Sequence, residues 1–292
     1  MNNYLYNKND NSKINDIIIK LGNCSYKYNT TKNQIDKDLI KYNEYNEYCN
    51  IINRKFQPSL IVLRHSIRLD SNKAKEFGAD QNWSDKETRP FDTPLVRPQG
   101  IDLARDTAID IKNRGIIIDN IICSPLRRCI ETAIEVAKVF NITEIKIDNR
   151  VIEDGKFVGE ALTIKNKDNL AKAKPLLDIK MSFISDDEIK NLGGNIKFIK
   201  PSIGSKESII PALDEDSIGF ANRLYSVIDE EIIKDNRTII VGHGGSIGMM
   251  AHKYKINNLI FDHTIDFCAW IGIFKNYKNI EFGNLDKMKS FY

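Results

Sequence analysis

The sequence predicts an α/β fold, a three-layer α/β/α sandwich around a mostly parallel sheet, and three observations predict it. Short apolar runs end abruptly in polar residues. Stretches with helical spacing separate those runs. At 292 residues, 41% hydrophobic and 28% charged, the chain is long enough for one substantial core plus appendages. Strands alternating with helices give a parallel sheet covered on both faces, whose ligands bind beyond the carboxyl ends of the strands.

Residues 1–57 are polar and Asn-rich, with apolar clusters only at Ile17–Ile19 and Ile51–Ile52. They read as an N-terminal extension, partly helical or disordered, without chemistry of its own. From Pro58 to residue 292 the pattern is that of a catalytic domain. Leu60-Ile61-Val62-Leu63 is continuously apolar and stops at Arg64-His65, as a strand buried on both faces does. Ile101, Ala104, Ala108 and Ile111 have helical spacing, closed by Gly115. The run from Ile116 to Cys123 predicts a second strand and stops at Ser124-Pro125, which reads as the cap and first turn of a helix carrying Leu126, Ile130, Ala133, Ala137 and Phe140. Residues 155–215, rich in Lys, Asp and Gly, break the rhythm and read as a cap insertion. Ile218, Ala221, Leu224, Ile228 and Ile232 predict another helix. Thr238–Val241 predicts a third strand, which ends in Gly242-His243-Gly244-Gly245. Phe267–Phe274 and Ile280–Phe282 predict a closing hairpin at the sheet edge.

Bulk properties exclude several classes. Lys and Arg total 43 against 40 acidic residues, a formal charge of +3, so no concentrated basic face marks a nucleic-acid binder. No apolar run reaches membrane-spanning length, and no apolar leader opens the chain. Five cysteines without a CxxC pair fit a reducing compartment, and the expected location is cytoplasmic.

The chemistry gathers at strand exits. His65 and His243 each follow a buried run, and the glycines around His243 let backbone amides approach an anion at a helix N-terminus. Arg64, Arg68 and Arg128 stand near these exits. Phosphoryl transfer needs a nucleophile in line with phosphorus and fixed cations around the equatorial oxygens. Neutral imidazole supplies the first, and guanidinium forks supply the second. His252 and His263 follow no such exit and take a structural reading.

The blocks Leu63-Arg64-His65, Ser124-Pro125-Leu126-Arg127-Arg128, Glu153 and Gly242-His243-Gly244 resemble, in this order, the histidine phosphatase superfamily, with its phosphoglycerate-mutase-like fold. Arg64–Asp70 is similar to the RHGERxD form of the tyrosine-phosphatase-like branch, which includes suppressor-of-T-cell-receptor-signalling and ecdysteroid-phosphate phosphatases. Trp83, Asp92-Thr93-Pro94-Leu95 with Gly100, Cys129–Ala133 and Glu153–Phe157 extend that likeness. Trp83 would line the substrate mouth or anchor a loop. The resemblance implies His65 as the nucleophile forming a phosphohistidine, and Arg64, Arg68, Arg128 and His243 as phosphate ligands. Arg127 would then be a surface or secondary contact. Glu153 would be the general acid and base, with Asp154 and Glu160 as substitutes in another register.

Two residues depart from the branch pattern. Ser66 replaces a glycine, and a serine forced to positive φ would be strained, so a reshaped pocket is expected. Ile67 replaces an acidic residue. The implied activity is that of a histidine acid phosphatase-type phosphoric monoester hydrolase needing no metal or cofactor. Its substrate would be a phosphorylated small molecule or a phosphoprotein, with no nucleic-acid or membrane partner; a homodimer is allowed but nothing specifies it. The competing readings are a phosphoglycerate mutase or sugar-bisphosphatase of the same superfamily, and a catalytically inactive phosphate-binding scaffold.

Overall fold

The computed structural model describes residues 28–29, 34–35, 58–83, 86, 91–154, 186–208, 211, 215–234, 236–253, 265–273 and 280–283. The chain divides into two compact units, Met1–Gln57 and Pro58–Tyr292. In the first, β1 (Tyr28–Asn29) and β2 (Gln34–Ile35) form an antiparallel pair. The isoleucine clusters at 17–19 and 51–52 lie outside the described residues.

The second unit is built on a seven-stranded sheet. Its strands are β3 (Leu60–Arg64), β4 (Asn120–Cys123), β5 (Glu144–Ile147), β6 (Lys197–Ile199), β7 (Thr238–Gly242), β8 (Trp270–Ile273) and β9 (Ile280–Gly283). Their order is β6-β5-β4-β7-β3-β8-β9, parallel from β6 through β3 and antiparallel at β8 and β9. Among the described residues its helices are α1 (Asn72–Glu76), α2 (Gln99–Asn113), α3 (Arg127–Phe140), α4 (Asp186–Gly193), α5 (Ser217–Lys234) and α6 (Gly244–Lys253).

Alternation within the apolar strands explains the layers. Ile61 and Leu63 of β3, Ile121 and Cys123 of β4, and Ile239 and Val241 of β7 pack with α2 and α3 residues such as Ala104, Ile111, Ile130 and Ala137. Leu60, Val62, Ile122 and Ile240, which point the other way, pack with Phe220, Leu224 and Ile228 of α5 and Ile247 of α6. Each fully buried aliphatic side chain contributes ~1.5–3 kcal/mol. The central strands are therefore the most firmly held part of the sheet.

Three expectations need correction. The second strand begins only at Asn120: the amides of Asp119 and Asn120 both donate to the Arg237 carbonyl, so pairing with β7 starts there, while Ile116 and Ile118 enter the core from a loop. The helix after Ser124-Pro125 starts at Arg127 with Leu126 as its N-cap, and Ser124 does not cap it; Asp92, 35 residues away, accepts the Arg127 amide. Within the 155–215 span, Lys197–Ile199 forms an edge strand of the main sheet, and the short, lysine-bearing, half-exposed pattern that protects an edge also hides it from a hydrophobicity reading. Residues 155–185 lie outside the described residues. The hairpin forms as expected from β8 and β9, although Phe267 precedes β8 in a turn.

Candidate active site

Register brings the strand exits to one level. Arg64 pairs with Gly242 and Cys123 with Val241, so β3, β4 and β7 end side by side. The His65 amide then donates to the Gly242 carbonyl at 2.9 Å and the Ser124 amide to that of Val241 at 3.0 Å. His65 and His243 are brought together with ring centroids 5.4 Å apart.

Both rings are buried and differently tied. His65 Nδ1 lies 2.7 Å from the Ser66 carbonyl, which can only accept, so Nδ1 carries the proton and Nε2 the lone pair. Nε2 makes no hydrogen bond to a described residue. His243 uses both nitrogens: Nδ1 accepts from Arg128 Nη2 at 3.3 Å, and Nε2 donates to Ser124 Oγ at 2.9 Å. Burial, reinforced by Arg128 and Arg64, holds both imidazoles well below their usual pKa and therefore neutral.

Three guanidiniums surround the pair. Arg128, from the first turn of α3, is anchored by Nη1 to the Phe91 carbonyl at 2.7 Å. Arg64 lies with its guanidinium carbon 4.2 Å from the Phe267 ring centroid, and burial lowers its pKa to about 10. The Nε of Arg64 and of Arg128 are buried without a hydrogen bond among the described residues, a cost that an anion's oxygens would lift. Arg68 is lowered by burial and by Arg128, and pairs through Nε with Asp70 at 2.9 Å. Arg127 turns away to Glu131, the secondary role expected of it.

Glu153 reaches the same place from the loop after the 3-10 turn Asn149–Val151, with Oε2 3.4 Å from His243 Nδ1. Burial raises its pKa to about 6, against the opposing pull of Arg128. Gly245 makes this approach possible, because a Cβ there would lie 2.8 Å from Glu153 Oε1. Asp154 follows, half-buried, and Glu160 lies outside the described residues.

The Cys129–Ala133 stretch acts as a fastening. Thr132 Oγ1 accepts the Ser66 amide and donates to the Arg128 carbonyl, and Glu131 accepts the Leu95 amide. Ser66 is unstrained: among the described non-glycine residues only Asn141 and Cys268 have positive φ, so the expected reshaping of the pocket does not follow. Its hydroxyl donates to the Gly100 carbonyl at 2.6 Å. Ile67 is apolar because it packs with Ala74 and Val96, and Gly100 is needed because a Cβ there would sit 2.7 Å from the Ile67 carbonyl oxygen.

Sequence reasoning missed Phe267, whose ring also lies 5.8 Å from that of His65. The signal would have been Cys268, whose φ of 59° turns the chain there, but a cysteine does not announce such a backbone. Trp83 is half-buried with Lys86 Nζ 5.1 Å from its ring. The side chain of His252 and all of His263 lie outside what is described. Among the described residues, no group of three or more His, Cys, Asp or Glu side chains is placed to hold a metal, and no helix is long and apolar enough to cross a membrane.

Residues 80–173 match the family model of the histidine phosphatase superfamily (branch 1), a segment that contains Arg128 and Glu153 but neither histidine. That segment carries the resemblance to the superfamily, and the fold is an α/β sandwich on a mostly parallel sheet. Similar solved structures include ecdysone phosphate phosphatase from Bombix mori in complex with tungstate, at 16% identity over 76% of this chain and 91% of that one, with TM-score 0.50. A mycobacterial glucosyl-3-phosphoglycerate phosphatase with VO3 is 17% identical over 77% and 95% of the two chains, TM-score 0.43. Phosphoglycerate mutase from Bacillus anthracis str. Sterne is 19% identical over 74% and 88%, TM-score 0.41. No curated protein matches the chain.

Proposed function

We propose that this chain is a phosphatase that hydrolyses a phosphomonoester through a phosphohistidine on His65. The observation that carries the reading is the tautomer of His65: Nδ1–H is committed to the Ser66 carbonyl, and Nε2 keeps its lone pair beside buried guanidiniums. Nε2 attacks phosphorus as the ester P–O bond breaks, and Glu153 gives its proton to the departing oxygen. Arg64, Arg68 and Arg128 hold the equatorial oxygens, whose charge must be stabilised in the transition state, while His243, expected as a phosphate ligand, has its one N–H on Ser124 and steadies the Arg128 fork through Nδ1. Water then attacks phosphorus, the N–P bond breaks, and Glu153 takes the water's proton back. A carboxyl with a pKa of about 6 suits both halves, since it is readily protonated and readily ionised near neutrality.

The relaxed backbone of Ser66 lends no support to the inactive-scaffold reading. Cys123, Cys129 and Cys268 are buried thiols with no disulfide among the described residues, which accords with a reducing, cytoplasmic setting. The test is rapid quenching with p-nitrophenyl phosphate, phosphotyrosine and phosphoglycerates in turn. A base-stable, acid-labile phosphoenzyme should form in the wild type and be absent from His65→Ala, with turnover surviving EDTA. Dominant mutase turnover with phosphoglycerates would refute the phosphatase reading in favour of the mutase one.

A further inference from the structure

Glu153 is delivered by a segment that the sheet does not hold. The carbonyls of Arg150, Ile152 and Glu153 accept no backbone N–H among the described residues. All three instead face one guanidinium: Arg223 Nη1 donates to Arg150 O at 2.6 Å and Ile152 O at 3.0 Å, and Nη2 lies 3.5 Å from Glu153 O. The opposite side of that guanidinium is held by Glu215, whose Oε1 accepts from Nε at 2.9 Å and whose Oε2 accepts from Nη2 at 2.6 Å. Phe220 packs below, 5.1 Å from the guanidinium carbon. The side chains of Arg223 and Glu215 are only 7% and 11% exposed. Such a desolvated ion pair is kept only where its hydrogen bonds are well satisfied, as these are.

We propose that Arg223 is a positioning residue for Glu153, working through the backbone of residues 150–153, and that Glu215 orients Arg223 in turn. This rests on the reading of Glu153 as the general acid. Arg223 contacts no reacting group; it fixes the carbonyl ladder from which the Glu153 carboxyl reaches His243 Nδ1 and the Gly245 backbone. The planar fork is essential, because a lysine ammonium cannot serve two carbonyls and a bidentate carboxylate at once. The placement also couples distant stretches of sequence. Glu153 lies just before the 155–215 span and Glu215 at its end, so one cation clasps both ends, and displacement of either is transmitted to the acid.

The test compares an ester whose leaving group departs without a proton, p-nitrophenyl phosphate, with one whose alkoxide needs it, β-glycerophosphate. Full-length wild type, Arg223→Lys, Glu215→Gln, Glu153→Gln and Arg223→Lys/Glu153→Gln are assayed. Glu153→Gln should depress kcat/KM for the alkyl ester on the order of 10²-fold more than for the aryl ester. Arg223→Lys should show the same bias at about 10-fold, and Glu215→Gln a smaller one, because each misplaces the acid without deleting it. The double variant should be no worse than Glu153→Gln alone. Equal loss on both esters in Arg223→Lys, or multiplicative losses in the double variant, overturns the inference while leaving Glu153 as the acid. Should Arg223→Lys fail to fold, a folded Glu215→Gln without leaving-group bias overturns it equally. If Glu153→Gln itself shows no bias, the assignment of the acid fails, and the positioning role falls with it.

Discussion

His65 and His243 leave neighbouring parallel strands at the same level, in environments of similar burial and charge, yet their rings are engaged differently. On the β3 side, one nitrogen is tied to a carbonyl one residue away, and the other makes no hydrogen bond to a described residue. On the β7 side, Ser124 and Arg128 take both nitrogens, and Glu153 lies against one of them. A ring held at both nitrogens is a fixed donor or acceptor. A ring held at one, in the tautomer that bares the other, has the lone pair that the proposed nucleophile needs. The difference arises from the residue after each strand: β3 continues into Ser66, in the loop toward α1, whereas β7 passes through Gly244 directly into α6.

The strongest way to break this comparison is to delete each ring in turn. His65→Ala should lower kcat by at least ~10³-fold, the scale on which loss of a nucleophile acts, and should abolish the phosphoenzyme. His243→Ala should slow turnover yet still accumulate phosphoenzyme in a rapid quench. The reverse pattern would exchange the two roles.

Next in size is the pH response. As the proposed acid, Glu153 would donate only when protonated, and that fraction falls as pH rises through about 6. As the proposed nucleophile, His65 would attack only when neutral, and its depressed pKa keeps it neutral well below pH 6.5. For an alkyl phosphate, kcat/KM should therefore fall above about pH 6 and decline again only in strong acid. Glu153→Gln should remove the basic limb at a cost of ~10²–10⁴-fold in rate, measured as pH profiles of both proteins. A basic limb that persists in Glu153→Gln would assign it to another group.

Sequence revealed the part of the site that strand patterning controls. Continuous apolar runs ending in polar residues placed His65 and His243 on strand tips that face one site, and the spacing from Ser124 placed Arg128 at a helix start. Glu153 came from motif resemblance alone, since nothing in its local pattern distinguishes it from Asp154. Phe267, Arg223 and the capping role of Asp92 were not legible, because each depends on loops meeting across long separations. Ser66 was misread for a related reason. A glycine in a family pattern implied special backbone angles, whereas here Ser66 has no positive φ and its hydroxyl donates to the Gly100 carbonyl.

Ser124 sharpens the comparison from the β7 side. Ser124→Ala leaves the His243 Nε2–H without its oxygen acceptor, with Cys129 Sγ as the remaining polar neighbour at 3.5 Å. An unsatisfied buried donor costs about 1–3 kcal/mol. Denaturant unfolding should register a loss of that size, and kcat should fall about 10-fold as the ring loses its fixed orientation. Phosphoenzyme formation on His65 should survive. Its disappearance would mean that the two rings act as a unit rather than in separate roles.

The smallest effect belongs to the β3 side, at Phe267. Its ring lies against both the Arg64 guanidinium and the His65 imidazole, so it limits where a charged fork without a bond at Nε can sit. Phe267→Leu retains bulk and removes the π face, which at a partly buried site is worth about 0.5–1 kcal/mol, or roughly 2- to 5-fold in affinity. On the proposed role of Arg64 as a phosphate ligand in both ground and transition states, the loss should appear in KM and in the inhibition constant for inorganic phosphate, with kcat little changed. A fall in kcat at constant KM would instead place Phe267 with His65, as a wall that sets the angle of the attacking nitrogen.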